Sequence, residues 1–208
     1  MTKKERVIKA VEALELLYPD AICSLNYSDA FQLLIATRLS AQCTDARVNM
    51  VTPALFKAYP DAASMAVAPI ENVEELIKTC GLYKTKAKDL VGIGQMIMSD
   101  FAGIVPDTIE QLTRLPGVGR KTANLVLALG FNKPAICVDV HVHRIFNRLG
   151  YIKTKNPEET EMELRKKLPL KHWLDINTLM VTHGQNICKP QRPKCEECPI
   201  AEWCEKII

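Results

Sequence analysis

The chain has 208 residues, of which 48% are hydrophobic and 25% are charged, a composition typical of a folded globular protein and not of a disordered one. Its 27 basic and 24 acidic residues give a net charge of only +3, so charge alone does not establish a nucleic-acid partner. No apolar run reaches membrane-spanning length, and the N-terminus lacks the apolar core of a signal peptide, so we expect no membrane partner and a cytoplasmic location.

Helical periodicity dominates the chain, and no alternating strand pattern of useful length is present, so the predicted fold class is all-α. The first helix covers residues 3–17, and a largely apolar second helix follows with Ser28 as its cap. Thr44 caps a third helix, and Asn156 caps a late one. The remaining helices are predicted at 70–80, 85–101, 108–114, 120–130, 140–149 and 173–186.

The turn at residues 115–119 joins two short helices and contains Gly117 and Gly119, which can adopt backbone angles closed to other residues. The helix that begins at Arg120 points its N-terminal N–H groups and positive dipole end the same way, an arrangement that suits a phosphate. Lys121 lies in the first turn, where the dipole disfavours the charged amine and favours a nucleophile. Such a turn is also common as a plain connector, but the two adjacent cations favour phosphate binding.

Asp139 is the second candidate for chemistry. An eleven-residue helix rises about 16 Å, and the eight residues after it can span about 26 Å, so the chain can return to the start of that helix. Asp139 can then face Lys121 across a cleft. A helix N-cap alone also explains an aspartate at this position, and the two roles are compatible.

Two histidines and two arginines follow Asp139 on the next predicted helix. His141 and His143 are two apart and point to different sides, so a shared metal ion is not expected, although His141 can meet a phosphate. Arg144 and Arg148 are four apart and share a face, which indicates either a solvated stripe or a contact with a nucleic-acid backbone.

Four cysteines near the C-terminus have the spacing C-x6-C-x2-C-x5-C. They are Cys188, Cys195, Cys198 and Cys204. In a reducing cell this spacing indicates a metal or cluster site, and it leaves zinc and iron-sulfur open. The loop between the first two cysteines is constrained at both ends and carries three cations placed to contact phosphates. These cations are Lys189, Arg192 and Lys194. The other four cysteines are predicted to be small core residues. They are Cys23, Cys43, Cys80 and Cys137.

Several segments together with the four-cysteine tail resemble the endonuclease III family of DNA glycosylases and abasic-site lyases, over nearly the whole chain. The segments are 39–45 (LSAQCTD), 81–83 (GLY), 115–123 (LPGVGRKTA), 138–139 (VD) and 183–184 (HG). The resemblance implies a 4Fe-4S cluster on the four cysteines. It implies a six-helix barrel domain at 22–133 that contains the helix-hairpin-helix, and a discontinuous helical domain of 1–21 and 134–208. DNA would lie in the cleft between them, with Gln42 filling the gap left by an extruded nucleotide and Leu82 wedging between bases.

The resemblance also implies a base-excision glycosylase for oxidised pyrimidines that forms a Schiff base through Lys121 and breaks the strand by β-elimination, assisted by Asp139. The expected partner is double-stranded DNA with damaged pyrimidines or abasic sites, bound by a monomer associated with a prokaryotic nucleoid. One alternative is a monofunctional mismatch or adenine glycosylase, although such relatives generally lack lysine at the position of Lys121. Another is a non-catalytic iron-sulfur DNA-binding module, which would not nick abasic DNA. The presence of both Lys121 and Asp139 favours the first function.

Overall fold

The computed structural model describes residues 1–207, and within that range the chain is helical with no β-strand. This confirms the predicted all-α class. The chain forms two compact units. We call Ser24–Asn132 the hairpin unit, and Met1–Cys23 together with the residues from Lys133 onward the cysteine unit. Of the described helices, none is both long and apolar enough to cross a membrane.

The hairpin unit is built around α2, because the sequence of this helix is apolar on nearly every side. Leu33, Leu34, Ile35 and Ala36 are completely buried at its centre. The helices of this unit are α2 (Ala30–Ser40), α3 (Asp45–Ala58), α4 (Ala62–Ala66), α5 (Ile70–Ile77), α6 (Tyr83–Asp100), α7 (Ile109–Leu112) and α8 (Arg120–Leu125), with α8 continued by a π-helical turn at Val126–Gly130.

Local capping decides where several of these helices begin. Thr44 caps α3 as predicted. The cap of α2 is Asp29 and not Ser28, because the Asp29 carboxylate accepts from the Gln32 backbone N–H at 2.8 Å. The predicted helix at 70–80 ends earlier, at Ile77.

The short helix α4 was not predicted. It is started by a capping box in which the side chains of Asp61 and Ser64 each accept from the other's backbone N–H. It packs closely on α6 at Gly94, where a Cβ would lie 2.7 Å from the Ala66 backbone nitrogen. The glycine that weakens α6 as an isolated helix therefore permits this contact.

The cysteine unit buries an apolar stripe of its first helix against the helix that follows Asp139. Val7, Val11 and Leu14 are completely buried and share a core with Val142 and Phe146. The α-helices of this unit are α1 (Lys3–Leu17), α9 (Val140–Arg148), α10 (Pro157–Lys167) and α11 (Ile176–Asn186). Short 3-10 turns occupy Leu170–His172, Cys195–Glu197 and Ala201–Trp203. Residues 173–175 form a turn, so α11 begins at Ile176 and not at residue 173 as expected.

Candidate functional site

The two glycines of the hairpin turn differ in what requires them. Gly117 has φ +68°, the left-handed region, and a Cβ there would collide with the Arg38 side chain. Gly119 has φ −95° and no heavy atom within 4 Å of a Cβ position. The expectation that both glycines adopt angles closed to other residues is therefore wrong for Gly119. Its missing side chain instead leaves open space at the start of α8.

An ion pair that sequence analysis did not find supports the turn. Arg38 Nε donates to Asp89 Oδ2 at 2.9 Å, and the two side chains are only 11% and 19% exposed. The same carboxylate oxygen lies 2.7 Å from the Cβ position of Gly117. Because the two partners lie on α2 and α6, far apart in sequence, no local pattern signals the pair. The backbone of the turn at Gly117 thus packs against a largely buried ion pair.

Lys121 is exposed in the first turn of α8, and Arg120 beside it is half-buried. Gly119 is the N-cap residue and contributes no capping side chain. An exposed lysine at a helix N-terminus, next to open space at Gly119, is compatible with nucleophilic chemistry on a bound ligand.

Gln42 and Leu82 lie in neighbouring loops of the hairpin unit. Gln42 follows α2 and Leu82 precedes α6, and a Cβ at Gly81 would lie 3.1 Å from the Gln42 carbonyl oxygen. Both residues have left-handed backbone angles, with φ 54° and 57°, and the Leu82 side chain is 60% exposed. A left-handed non-glycine residue costs about 1–2 kcal/mol, and such strain concentrates at binding sites.

Asp139 is the N-cap of α9, as its sequence position suggests. One carboxylate oxygen, Oδ1, accepts from the backbone N–H groups of His141 at 2.8 Å and Val142 at 2.9 Å. These bonds fix the carboxylate at the start of the helix. Asp139 belongs to the cysteine unit, and Lys121 belongs to the hairpin unit.

The two histidines of α9 face different neighbours, as predicted. His141 Nδ1 lies 3.0 Å from an Arg144 guanidinium nitrogen, and its ring packs against Gly184, where a Cβ would collide with it. His143 Nδ1 lies 2.7 Å from the Thr160 hydroxyl. Only His141 is therefore placed beside the segment that leads into the four cysteines.

The two arginines of α9 bind the cysteine loop, so the expectation of a solvated stripe is wrong. Arg144 donates to the Cys188 carbonyl at 2.9 and 3.1 Å. Arg148 is buried and donates to the carbonyls of Lys189 at 2.6 Å and Pro190 at 2.8 Å, and to the Cys188 sulfur at 3.4 Å. Sequence spacing gave their common face correctly but not the acceptors, which lie some 40 residues away.

The four C-terminal cysteines line a single cavity together with Ile145, Leu149 and Ile200. Burial raises the pKa of the Cys198 and Cys204 thiols, and the neighbouring cysteines raise it further. Within residues 1–207, no three Cys, His, Asp or Glu side chains converge closely enough to hold one metal ion. Four thiols around an apolar cavity are the donor set of an iron-sulfur cluster, in which each iron takes its own thiolate and supplies the positive charge that mutually repelling thiolates need. The residues present therefore fit such a cluster.

The loop between Cys188 and Cys195 carries its three predicted cations at the surface. Lys189 and Arg192 are exposed, and Arg192 has a left-handed φ of 49°. Lys194 is also exposed, and its amine lies 3.4 Å from a Glu197 carboxylate oxygen. The bonds from α9 hold the start of this loop and leave its cations facing solvent.

The remaining four cysteines are not all core residues. Cys80 and Cys137 are buried as predicted. Cys23 and Cys43 are only half-buried, so the prediction is wrong for these two. The error at Cys43 has a local reason, because it lies in the loop after α2 and not on the apolar helix itself.

Comparison with known proteins identifies the class of protein to which the chain belongs. Residues 35–170 match the family model for HhH-GPD superfamily base excision DNA repair proteins, and residues 188–204 match the iron-sulfur binding domain of endonuclease III. The endonuclease III of a Synechocystis species is 45% identical over 204 residues, covering 98% of this chain and 93% of that protein. The endonuclease III of Thermotoga maritima is 48% identical over 178 residues, covering 86% and 84%.

A solved structure of a trapped endonuclease III–DNA covalent intermediate has a TM-score of 0.91 and 39% identity, with coverage of 99% of this chain and 97% of that chain. A non-covalent endonuclease III–DNA complex matches equally well. The chain belongs to the endonuclease III family. It is a DNA-binding, base-excision-repair DNA glycosylase and abasic-site lyase with a 4Fe-4S cluster.

Proposed function

We propose that the protein removes oxidised pyrimidines from double-stranded DNA and cleaves the resulting abasic sites through Lys121. The observation that carries this proposal is the exposed Lys121 amine in the first turn of α8, beside the open space at Gly119. The damaged-pyrimidine substrate class follows from the resemblance of the hairpin, loop and cysteine segments to endonuclease III.

In the proposed reaction, the neutral Lys121 amine attacks the anomeric carbon of an extruded nucleotide, and the glycosidic bond breaks as the base leaves. The ring-opened imine acidifies the adjacent sugar hydrogen, and its loss expels the 3′ phosphate by β-elimination. Asp139, fixed by its two backbone bonds, stabilises the developing sugar cation and relays protons to and from the reacting groups.

Gln42 and Leu82 hold the space vacated by the extruded nucleotide. Their adjacent loops, left-handed backbones and exposed side chains support this role. Pre-shaped loops insert at a smaller ordering cost than flexible ones. Extrusion costs a few kcal/mol, and side chains that fill the gap offset part of that cost.

Phosphate contacts come from three places in the chain. Gly117, Gly119 and Arg120 bind one stretch of backbone through main-chain amides and charge, and His141 adds a contact from α9. The three loop cations bind a second stretch. These cations are Lys189, Arg192 and Lys194. The cluster, held by Cys188, Cys195, Cys198 and Cys204, ties the ends of that loop together when it is bound.

The organisation we propose is a six-helix barrel domain at 22–133 and a discontinuous domain of 1–21 and 134–208, in a protein that acts as a monomer and is associated with the nucleoid. The compact units Ser24–Asn132 and the remainder lie close to these bounds.

A panel of duplexes tests the substrate class. Each duplex carries one lesion: an oxidised pyrimidine, an oxidised purine, a mismatched adenine or an abasic site. We expect single-turnover excision to be fastest on the oxidised pyrimidine, with strand cleavage keeping pace. Asp139→Asn, which keeps a capping oxygen, should lower both steps with little loss of stability. Faster excision of adenine or the oxidised purine would refute the assignment.

A further inference from the structure

Two thiols and an amine lie together beneath the Gln42 and Leu82 loops, and the proposed reaction uses none of them. Cys43 directly follows Gln42, and Cys80 directly precedes Gly81, whose Cβ position is 3.1 Å from the Gln42 carbonyl oxygen. The two thiols are close enough that Cys43 affects the ionisation of Cys80. Cys43 is half-buried and Cys80 is 2% exposed. The pair therefore bridges the two loops, with one thiol reachable from solvent and the other behind it.

The third member of the group is Lys86, whose side chain is completely buried. Its Nζ donates to the Leu39 carbonyl at 2.8 Å, and both thiols interact electrostatically with it. Burial lowers the pKa of the Lys86 amine. Burial and the hydrogen bond with Cys43 raise the pKa of Cys80 to about 11, while the Lys86 charge opposes that rise. Burial therefore keeps the Cys80 thiol protonated at neutral pH, and the Lys86 charge opposes this effect, favouring the small thiolate fraction through which thiol–disulfide exchange proceeds.

We propose that Cys43 and Cys80 form a reversible disulfide by exchange with a low-molecular-weight disulfide such as oxidised glutathione. The Cys43 thiolate attacks one sulfur of that reagent, which forms a mixed disulfide and expels one glutathione thiolate. The Cys80 thiolate then attacks the Cys43 sulfur, forming the protein disulfide and expelling the second. Two protein thiols are oxidised and two glutathione thiols are produced, and these take up the two protons released.

The disulfide would act on lesion recognition, a consequence that rests on the function proposed for Gln42 and Leu82. A disulfide requires Cα atoms about 4.4–6.8 Å apart, so closing it fixes the spacing of the two loops. Both loops carry strained left-handed residues whose positions the DNA gap must match. We expect the oxidised enzyme to excise lesions more slowly, while its cluster and fold are unchanged.

The site itself is tested by mass spectrometry on the cluster-loaded protein equilibrated with oxidised glutathione. The expected product is a cross-linked pair of peptides holding Cys43 and Cys80, with the cluster's visible absorbance unchanged. Cys43→Ser should give no cross-link, and Cys80→Ala should stop at a glutathione adduct on Cys43. Absence of the cross-link in the folded wild type would overturn the proposal, whatever the activity.

The effect of the disulfide on lesion recognition is tested by measuring single-turnover excision before oxidation, after oxidation and after reduction with dithiothreitol. We expect oxidised wild type to slow by about tenfold, because misplacing positioning groups by about 1 Å reduces rates by one to two orders of magnitude. Dithiothreitol should restore the rate, and Cys43→Ser should be insensitive to oxidation. A cross-linked enzyme with unchanged excision would overturn the recognition effect. Reduced wild type that does not act on oxidised pyrimidines would instead indicate failure of the proposed function.

Discussion

At the residue scale, the two hairpin glycines show how one motif combines a structural and a binding requirement. Gly117 is required by its own left-handed backbone and by the packed Arg38 side chain. Gly119 has an ordinary backbone and open space around its Cβ position. Nothing within the chain therefore requires a glycine at position 119, which supports the proposal that a DNA backbone approaches closely here.

This difference predicts that alanine at position 117 reduces stability, whereas alanine at position 119 reduces DNA binding. Gly117→Ala should lower the free energy of unfolding by about 1–3 kcal/mol, because it adds strain and a collision. Gly119→Ala should change stability by less than about 0.5 kcal/mol, yet weaken binding to damaged and undamaged duplex alike, because its methyl group lies where the backbone must approach. Denaturant unfolding and DNA titration measure the two effects. Gly119→Ala that binds DNA as wild type does would contradict the assignment.

The raised pKa of Cys80 predicts that the free energy of unfolding depends on pH. Its pKa is raised from the ordinary value of 9.0 to about 11, first by burial and then by Cys43. The folded state thus keeps a proton that the unfolded state releases above pH 9, so this stabilisation is complete below pH 9 and lost as the pH rises towards 11. Between pH 9 and 11 the wild type should lose up to about 2 kcal/mol relative to Cys80→Ala, measured by denaturant unfolding. Parallel curves for the two proteins would contradict it.

At the element scale, α9 has three structural roles, one at its N-terminal end and two on its sides. Its N-cap carries Asp139, one face buries Val142 and Phe146, and another holds the cysteine loop through its arginines. The same helix therefore fixes both the carboxylate for which we propose a catalytic role and the loop that presents cations. We infer that a shift in the position of α9 would change both the rate of the proposed reaction and the affinity for DNA.

Arg148 should be needed for cluster retention, because its buried guanidinium satisfies two loop carbonyls and contacts the Cys188 sulfur. Arg148→Met should cost about 2–4 kcal/mol and increase the rate of cluster loss, followed by visible absorbance during dilution into a chelator. Arg192→Ala is the matched control on the exposed loop. It should keep the cluster and lower the salt dependence of DNA binding. Equal cluster retention in both variants would argue against the role of Arg148.

The elements also show which structure the sequence encodes locally. The caps at Thr44 and Asn156 were predictable because a cap side chain and the backbone N–H that donates to it lie within one turn. The Arg38–Asp89 pair and the acceptors of Arg144 and Arg148 were not, because their partners lie on other elements. The left-handed angles of Gln42 and Leu82 were equally hidden, since neither residue type favours them.

At the scale of the whole molecule, the candidate residues come from distant parts of the chain and both compact units. The resemblance identified them because its motifs carry chemistry that periodicity does not. Periodicity alone gave the all-α class and most helices, and it gave no information on which residues act on DNA. Family membership establishes the glycosylase and lyase activities. The roles of individual residues are tested by substituting them and measuring each activity.

The most direct measurement is borohydride trapping on a duplex with one oxidised pyrimidine, since reduction converts the proposed imine into a stable protein–DNA bond. The wild type should become covalently joined to the DNA, and Lys121→Gln, which keeps the length and polarity of the side chain, should not, while still binding the duplex. Peptide mapping should place the bond on Lys121. Trapping that persists in Lys121→Gln, or a wild type that excises the base without ever being trapped, would contradict the central claim.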